Sequence, residues 1–228
     1  MLPDKVAEAI QYADNNGIEV PADVRIRARR AGALKAGKTL PEISAQYTNA
    51  IIEAIVTYFE GGSVTSPRNA FRRAMVDAFG AAFDLGWVDG GGAMPPDETA
   101  LEWFNPRVEQ EFGYIEGLFA NIKQLKKEED GFDYFEWATQ RAAGYARSLG
   151  GVYNAGKMFA QGSKMLTWHL GETEVHCDTC AKLDGKRHKA SWYIARNYIP
   201  RQAGASMDCG GYNCDCRLED DKGNIVTI

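Results

Sequence analysis

Cysteine is missing from the first 176 residues, although the chain of 228 residues has five. A disulfide network spread through the whole chain is thereby excluded. Histidine is scarce too, with three in all. No His-Glu-x-x-His occurs, so a hydrolytic zinc of that helical kind has no ligands to use. No segment approaches the roughly 18 apolar residues that carry a helix across a bilayer. The opening Met1-Leu2-Pro3-Asp4-Lys5 lacks the basic stretch and apolar run of a secretory signal, so folding in a reducing cytoplasm is expected. Gly90-Gly91-Gly92 lacks the Lys-Ser/Thr that completes a phosphate loop. No Ser/His/Asp set and no marked pair of carboxylates can be assembled, and no enzymatic activity is expected. The formal net charge of -5 argues against a protein that coats bare nucleic acid over its whole surface. Internal repeats and low-complexity tracts are also lacking.

What is present is the composition of an ordinary globular protein, with 45% hydrophobic and 25% charged residues. Val6, Ile10 and Ala13 predict a helix from Asp4 to about Asn15. A second is expected from Ala22 to Ala36, carrying Arg25, Arg27, Arg29 and Arg30. Thr39-Leu40-Pro41-Glu42 supplies a cap and a first-turn proline for a third. Its apolar stripe is Ile43, Tyr47, Ile51, Ile55 and Tyr58, and Gly61-Gly62 ends it. Ser66-Pro67 starts the next, with Phe71, Met75, Ala78, Phe79 and Phe83 on one face. Asp89-Gly90-Gly91-Gly92 followed by Pro95-Pro96 reads as a hinge or exposed loop. A helix from about Pro106 to Lys126 places Phe112, Ile115, Phe119 and Ile122 together. Phe135, Ala138, Ala142 and Tyr145 mark another, expected to kink or break at Gly150-Gly151 before about Phe159.

Beyond Gly162 helical periodicity gives way to short strand-like pieces between turns such as Asp184-Gly185 and Lys222-Gly223-Asn224. The expected architecture is mainly α: a helical body over residues 1–164, serving capsid or portal interaction in the family reading below, and a small α+β cysteine-rich module over 165–228.

That module holds every cysteine. Cys177-x2-Cys180 is followed, after 28 residues, by Cys209-x4-Cys214-x-Cys216. A Cys-x2-Cys turn presents two thiolates on one side, so that both reach one tetrahedral ion. A second pair from distant sequence closes the site and ties two segments together. Structural zinc can supply on the order of 10 kcal/mol coupled to folding, which a segment with so few large apolar side chains needs. Gly210 and Gly211 suit backbone that must turn sharply beside a metal. Cys177 and Cys180 form the first pair, and two of Cys209, Cys214 and Cys216 form the second. His176 or His188 could replace a thiolate, although His176 is awkwardly placed beside Cys177. The competing reading is two disulfides and a free thiol. A deaminase reading fails, because His169-Leu170-Gly171-Glu172 has the wrong spacing and Val175-His176, with no proline, precedes the Cys pair.

The arginine run at 25–30 and the group Arg68, Arg72 and Arg73 read first as solvated helix faces paired with acids, and second as phosphate contacts. Trp87, Trp103, Trp137, Trp168 and Trp192 are spread along the chain as packing residues rather than a ligand cage.

The C-terminal pattern is similar to that of a known family. Trp168, Glu174-Val175-His176-Cys177-Asp178-Thr179-Cys180, Leu183-Asp184-Gly185-Lys186, Ile199-Pro200-Arg201 and Cys209-Gly210-Gly211-Tyr212-Asn213-Cys214-Asp215-Cys216-Arg217 together resemble the C-terminal domain of phage head morphogenesis proteins, the Mu F-like minor head family. The resemblance covers about fifty residues, or eighty if Arg141 to Gly162 is included. In the family a His-Pro commonly precedes the closing Cys-x-Cys. Gly211-Tyr212 stands here instead, with Cys209 nearby as a replacement for that histidine. The resemblance implies a minor capsid protein with structural Zn2+, located in the virion head after assembly in the host cytoplasm. It further implies docking near the portal vertex against portal protein or major capsid protein, and against packaged DNA. The alternative expectation is a regulatory zinc module that binds nucleic acid through Lys182, Lys186, Arg187, Lys189, Arg196 and Arg201.

Overall fold

The computed structural model describes residues 37–61, 63–94, 96–128, 133–212 and 214–227. The two helices expected before Ala36, and with them the arginine run, lie outside the described residues. The protein is mainly helical with a small C-terminal sheet. It divides into two compact units: the described residues up to Ala81 with Leu101–Ala143, and Ala82–Ala100 with Gly144–Ile228. The texture change near residue 165 marks the onset of strand structure, whereas the division between units falls within helices.

In the first unit, α1 (Leu40–Phe59) begins as its sequence dictates. Thr39 and Glu42 form a reciprocal capping box, with the Thr39 N–H donating to Glu42 Oε2 at 2.7 Å. All five residues of the expected stripe are buried. Helix α2 (Thr65–Asp89) buries Phe71, Met75, Ala78, Phe79 and Phe83. Tyr47 meets Phe71 and Phe79 edge-on, each at 6.2 Å, and Phe119 meets Phe71 at 6.4 Å and Tyr58 at 6.1 Å. These edge-to-face contacts join three helices through ring quadrupoles as well as buried area. Arg68 and Arg72 both reach Glu116, at 3.1 and 2.6 Å, so that helix start is a face paired with an acid.

Helix α3 runs Glu98–Glu128, eight residues longer at its start than the proline suggested. Asp97 Oδ1 accepts the Ala100 N–H at 2.9 Å, and Ala100 and Phe104 are buried on the added turns. A cap and a buried face thus outweigh the lost hydrogen bond at Pro106. Ile115, Phe119 and Ile122 are buried as expected, while Phe112 is only half-buried under the Arg72 guanidinium at 5.0 Å. Helix α4 (Tyr134–Ala160) passes through Gly150-Gly151 without interruption, contrary to expectation. Phe135 is also exposed rather than part of its apolar face.

In the second unit the reason for these glycines is packing, not bending. A Cβ on Gly156 would strike the Phe83 carbonyl, one on Gly86 the Tyr153 carbonyl, and one on Gly151 the backbone of Arg201 and Gln202. The second half of α4 therefore approaches α2 backbone to backbone. Asn154, fully buried, donates to the Pro200 carbonyl at 3.0 Å. The triglycine leads into a turn exposed at Gly91, Ala93 and Met94 but anchored at its base: Gly90 is buried, and Gly92 lies against the Trp87 indole, whose N–H donates to the Ala93 carbonyl at 2.8 Å. Trp87 and Trp168 are buried. Trp103, Trp137 and Trp192 are half-buried beneath Arg107, Arg141 and Arg196 at 4.8, 5.1 and 4.0 Å.

The C-terminal segment contains β1 (Met165–His169), α5 (Asp178–Leu183), β2 (Arg187–Lys189), α6 (Ala190–Ala195) and β3 (Arg217–Glu219). The two short helices make the module α+β as expected, although no periodicity in the sequence placed them. The sheet is antiparallel in the order β2-β1-β3, with Leu166 opposite His188 and Trp168 opposite Leu218. Period-two alternation turns Leu166 and Trp168 inward on β1. Tyr193 on α6 packs on Trp168 at 5.9 Å and donates from its hydroxyl to the Lys186 carbonyl at 2.8 Å.

Two substitutions on α4 should differ in sign. Gly144→Ala meets nothing within 4 Å and should stabilise by roughly 0.5–1 kcal/mol. Gly156→Ala should lose that gain to overpacking and destabilise by about 1–3 kcal/mol net. Urea unfolding midpoints of the two variants check this, and equal shifts would contradict the close crossing.

Candidate metal centre

Five thiols converge in the second unit, and none is in a disulfide. Cys177, Cys180 and Cys209 bring their sulfurs within 4.8 Å of one another, and so do Cys180, Cys214 and Cys216. All five sequence-predicted cysteines are present, and both groups are compatible with a metal ion.

Local structure places each sulfur. Cys177 is the N-cap of α5, and its Sγ accepts the Cys180 N–H at 3.4 Å. This i, i+3 bond folds the Cys-x2-Cys turn so that both side chains face one way. Cys209 is brought to that turn by a carboxylate. Asp208 Oδ2 accepts from the Thr179 N–H at 2.9 Å and from its hydroxyl at 2.7 Å. Two residues each adjacent to a cysteine thus lock the distant segments together without using any sulfur. Gly210 and Gly211 both have positive φ, 60° and 77°, and a side chain on Gly211 would hit the Gln202 carbonyl. The sharp turn expected after Cys209 is present.

The closing pair is set differently. Cys214 Sγ lies 3.9 Å from Cys180 Sγ, and Cys214 and Cys216 are both buried. Gly171 packs so closely on Asp215 that a Cβ would collide with its carbonyl. From there the Gly171 N–H supports the Cys216 thiolate, as does the Trp168 indole. That indole N–H is buried and meets no acceptor at full hydrogen-bond geometry among the described residues. Met207 Sδ is 4.0 Å from Cys180 Sγ and completes a sulfur-rich surround.

Ionisation follows from crowding. The neighbouring Cys180 and Cys214 thiols, as hydrogen-bond donors, pull Cys216 well below the usual thiol range. Burial alone would raise Cys177, but the N–H of Cys180 and the contacts with Cys209 bring it down. Cys180 is pushed far up by its sulfur neighbours and by burial, and burial raises Cys209. Mutually facing thiolates repel, so the set cannot ionise fully without a cation. A bound divalent ion removes that conflict, and its affinity falls as pH drops because protons compete for the sulfurs.

The histidines are elsewhere. His188 stacks on Trp192 at 3.7 Å, His176 Nδ1 sits 3.4 Å from the Thr173 hydroxyl, and His169 pairs with Glu219 at 3.4 Å. Neither His176 nor His188 joins a sulfur group, which corrects the expectation that one could replace a thiolate. Asp208, Thr179 and Gly171 were not singled out from sequence for this role. The only hint was that Asp208 and Thr179 each border a cysteine.

Comparison with protein-family models, with curated proteins and with solved structures gives no match in any of the three. The resemblance to the Mu F-like family rests on the residues quoted for it.

The Asp208–Thr179 link should matter to the metal without touching it. Asp208→Ala should weaken metal binding about 10–100-fold while leaving all thiols in place, as read by competition with a chromophoric chelator. Hydrogen bonds from Thr179 hold the Asp208 carboxyl below its usual range. Its contribution is therefore complete at neutral pH and fades only as pH falls through that lowered value. Unfolding of the metal-stripped, reduced protein should show no loss from this link between pH 7 and about 5.

Proposed function

We propose that this chain is a structural minor capsid or head-morphogenesis protein of a tailed phage, with its C-terminal module held in shape by zinc. The observation that carries the reading is the convergence of thiols from two distant stretches beneath Trp168, in the residue pattern of the Mu F-like C-terminal domain. Zinc is the metal favoured by the donor set. Soft thiolates with no carboxylate ligand suit a d10 ion, and sulfurs drawn from two distant stretches let that ion tie the stretches together. In this reading the helices supply surfaces for portal protein or major capsid protein. The module is a rigid knob at or near the portal vertex, close to packaged DNA. The chain then folds in the host cytoplasm and ends in the virion head.

A regulatory nucleic-acid-binding module is the weaker reading. Arg187 is paired with Asp221 at 2.6 Å and Arg201 with Asp215 at 3.3 Å, while Arg196 lies over Trp192. Half of the cations invoked for phosphate contacts are already engaged.

Mass spectrometry of purified virions from the encoding phage should find this chain in low copy number. Its absence from virions would defeat the assignment. A gel shift should show no binding tighter than micromolar to duplex or single-stranded DNA at physiological salt. Tight, salt-dependent binding lost on charge reversal of Lys186 and Arg187 would favour the regulator instead.

A further inference from the structure

We propose, building on the zinc reading above, that the five cysteines hold two zinc ions that share the Cys180 thiolate. One ion takes Cys177, Cys180 and Cys209, and the other takes Cys180, Cys214 and Cys216.

The first support is the partition of the sulfurs. Each of the two groups closes within 4.8 Å, and Cys180 is the member common to both. Among the described residues neither group gains a fourth thiol within that distance. A single tetrahedral thiolate site, with zinc–sulfur bonds of about 2.3 Å, has all six of its sulfur–sulfur edges near 3.8 Å. To build that site here, a sulfur must be drawn from one group into the other. Two ions require no such transfer.

The second support is the position of Cys180. Its Sγ lies 3.9 Å from Cys214 Sγ and 4.0 Å from Met207 Sδ, while its backbone N–H donates to Cys177 Sγ at 3.4 Å. It therefore stands between the two outer pairs, where a thiolate can donate lone pairs to an ion on either side.

The third support is mechanical. The Asp208–Thr179 link fixes the Cys177–Cys180–Cys209 group. Gly171, packed against the Asp215 carbonyl, fixes the Cys214–Cys216 end. Each outer pair has its own scaffold, as two coordination centres need. Five thiolates with two divalent ions also leave a single residual negative charge, the smaller burden for a largely buried cluster. The remaining position on each ion falls to solvent or an added ligand.

Full-length protein purified under reducing conditions and loaded with zinc should carry two ions per chain by native mass spectrometry. Cys209→Ser and Cys216→Ser should each reduce the count to one, and Cys180→Ser should abolish both. Because Cys180→Ser could fail to fold, X-ray absorption of the wild-type zinc protein gives an independent reading, in which a zinc–zinc scattering shell is expected. One ion per chain, with one outer cysteine variant retaining it at full affinity, overturns the shared thiolate and leaves the single-zinc reading intact. No zinc-zinc shell at two ions per chain also overturns the sharing. No zinc at all overturns both.

Discussion

Negative sulfurs repel one another, and the C-terminal half of this protein is arranged around holding five of them in one place. Everything near them answers that constraint. The Cys180 N–H donates to Cys177 Sγ, and the Asp208–Thr179 link holds Cys209 beside that turn. Hydrogen bonds of this sort lower the cost of thiolates but do not remove their mutual repulsion. A cation does. The two cysteine groups are compatible with such an ion.

The sheet and short helices serve that arrangement. Trp168 occupies the centre of a three-stranded sheet with Leu166 and Leu218 and carries Tyr193 against it. This small apolar layer fixes the strand from which Gly171 follows and the strand into which Cys216 leads. The Pro200–Gln202 segment lies between Gly151 on α4 and Gly211 beside Cys209, touching both at backbone distance. Helix α4 and the cysteine turn are consequently braced by the same piece of chain. Arg201 holds a positive φ of 61° there, a conformation that costs a non-glycine residue about 1 kcal/mol or more and that the packing on both sides maintains.

Much of the helical part was legible because local rules and burial agree in it. The Thr39–Glu42 box, the Ser66-Pro67 start and two apolar stripes required only spacing and capping chemistry. Pro106 and Gly150-Gly151 misled for a common reason. Proline and glycine lower intrinsic helix stability, but the price is a few kcal/mol at most, and buried faces at Phe104, Val108 and Val152 outweigh it. The glycines also have a use that propensity does not express, since Gly86, Gly90 and Gly156 admit another backbone where any Cβ would collide.

The sequence by itself determined that five cysteines from two separated stretches would meet, because Cys-x2-Cys and Cys-x-Cys turns are local and their chemistry has few other outlets. It determined the sharp turn at Gly210-Gly211 for the same reason. Only the tertiary structure decided how the sulfurs partition, with Cys180 common to two groups, and which residues hold them there. Asp208 reaching Thr179 and Gly171 packing on Asp215 are contacts across 29 and 44 positions of chain. Such pairings depend on where the sheet and loops cross in space, and no periodicity or spacing encodes them.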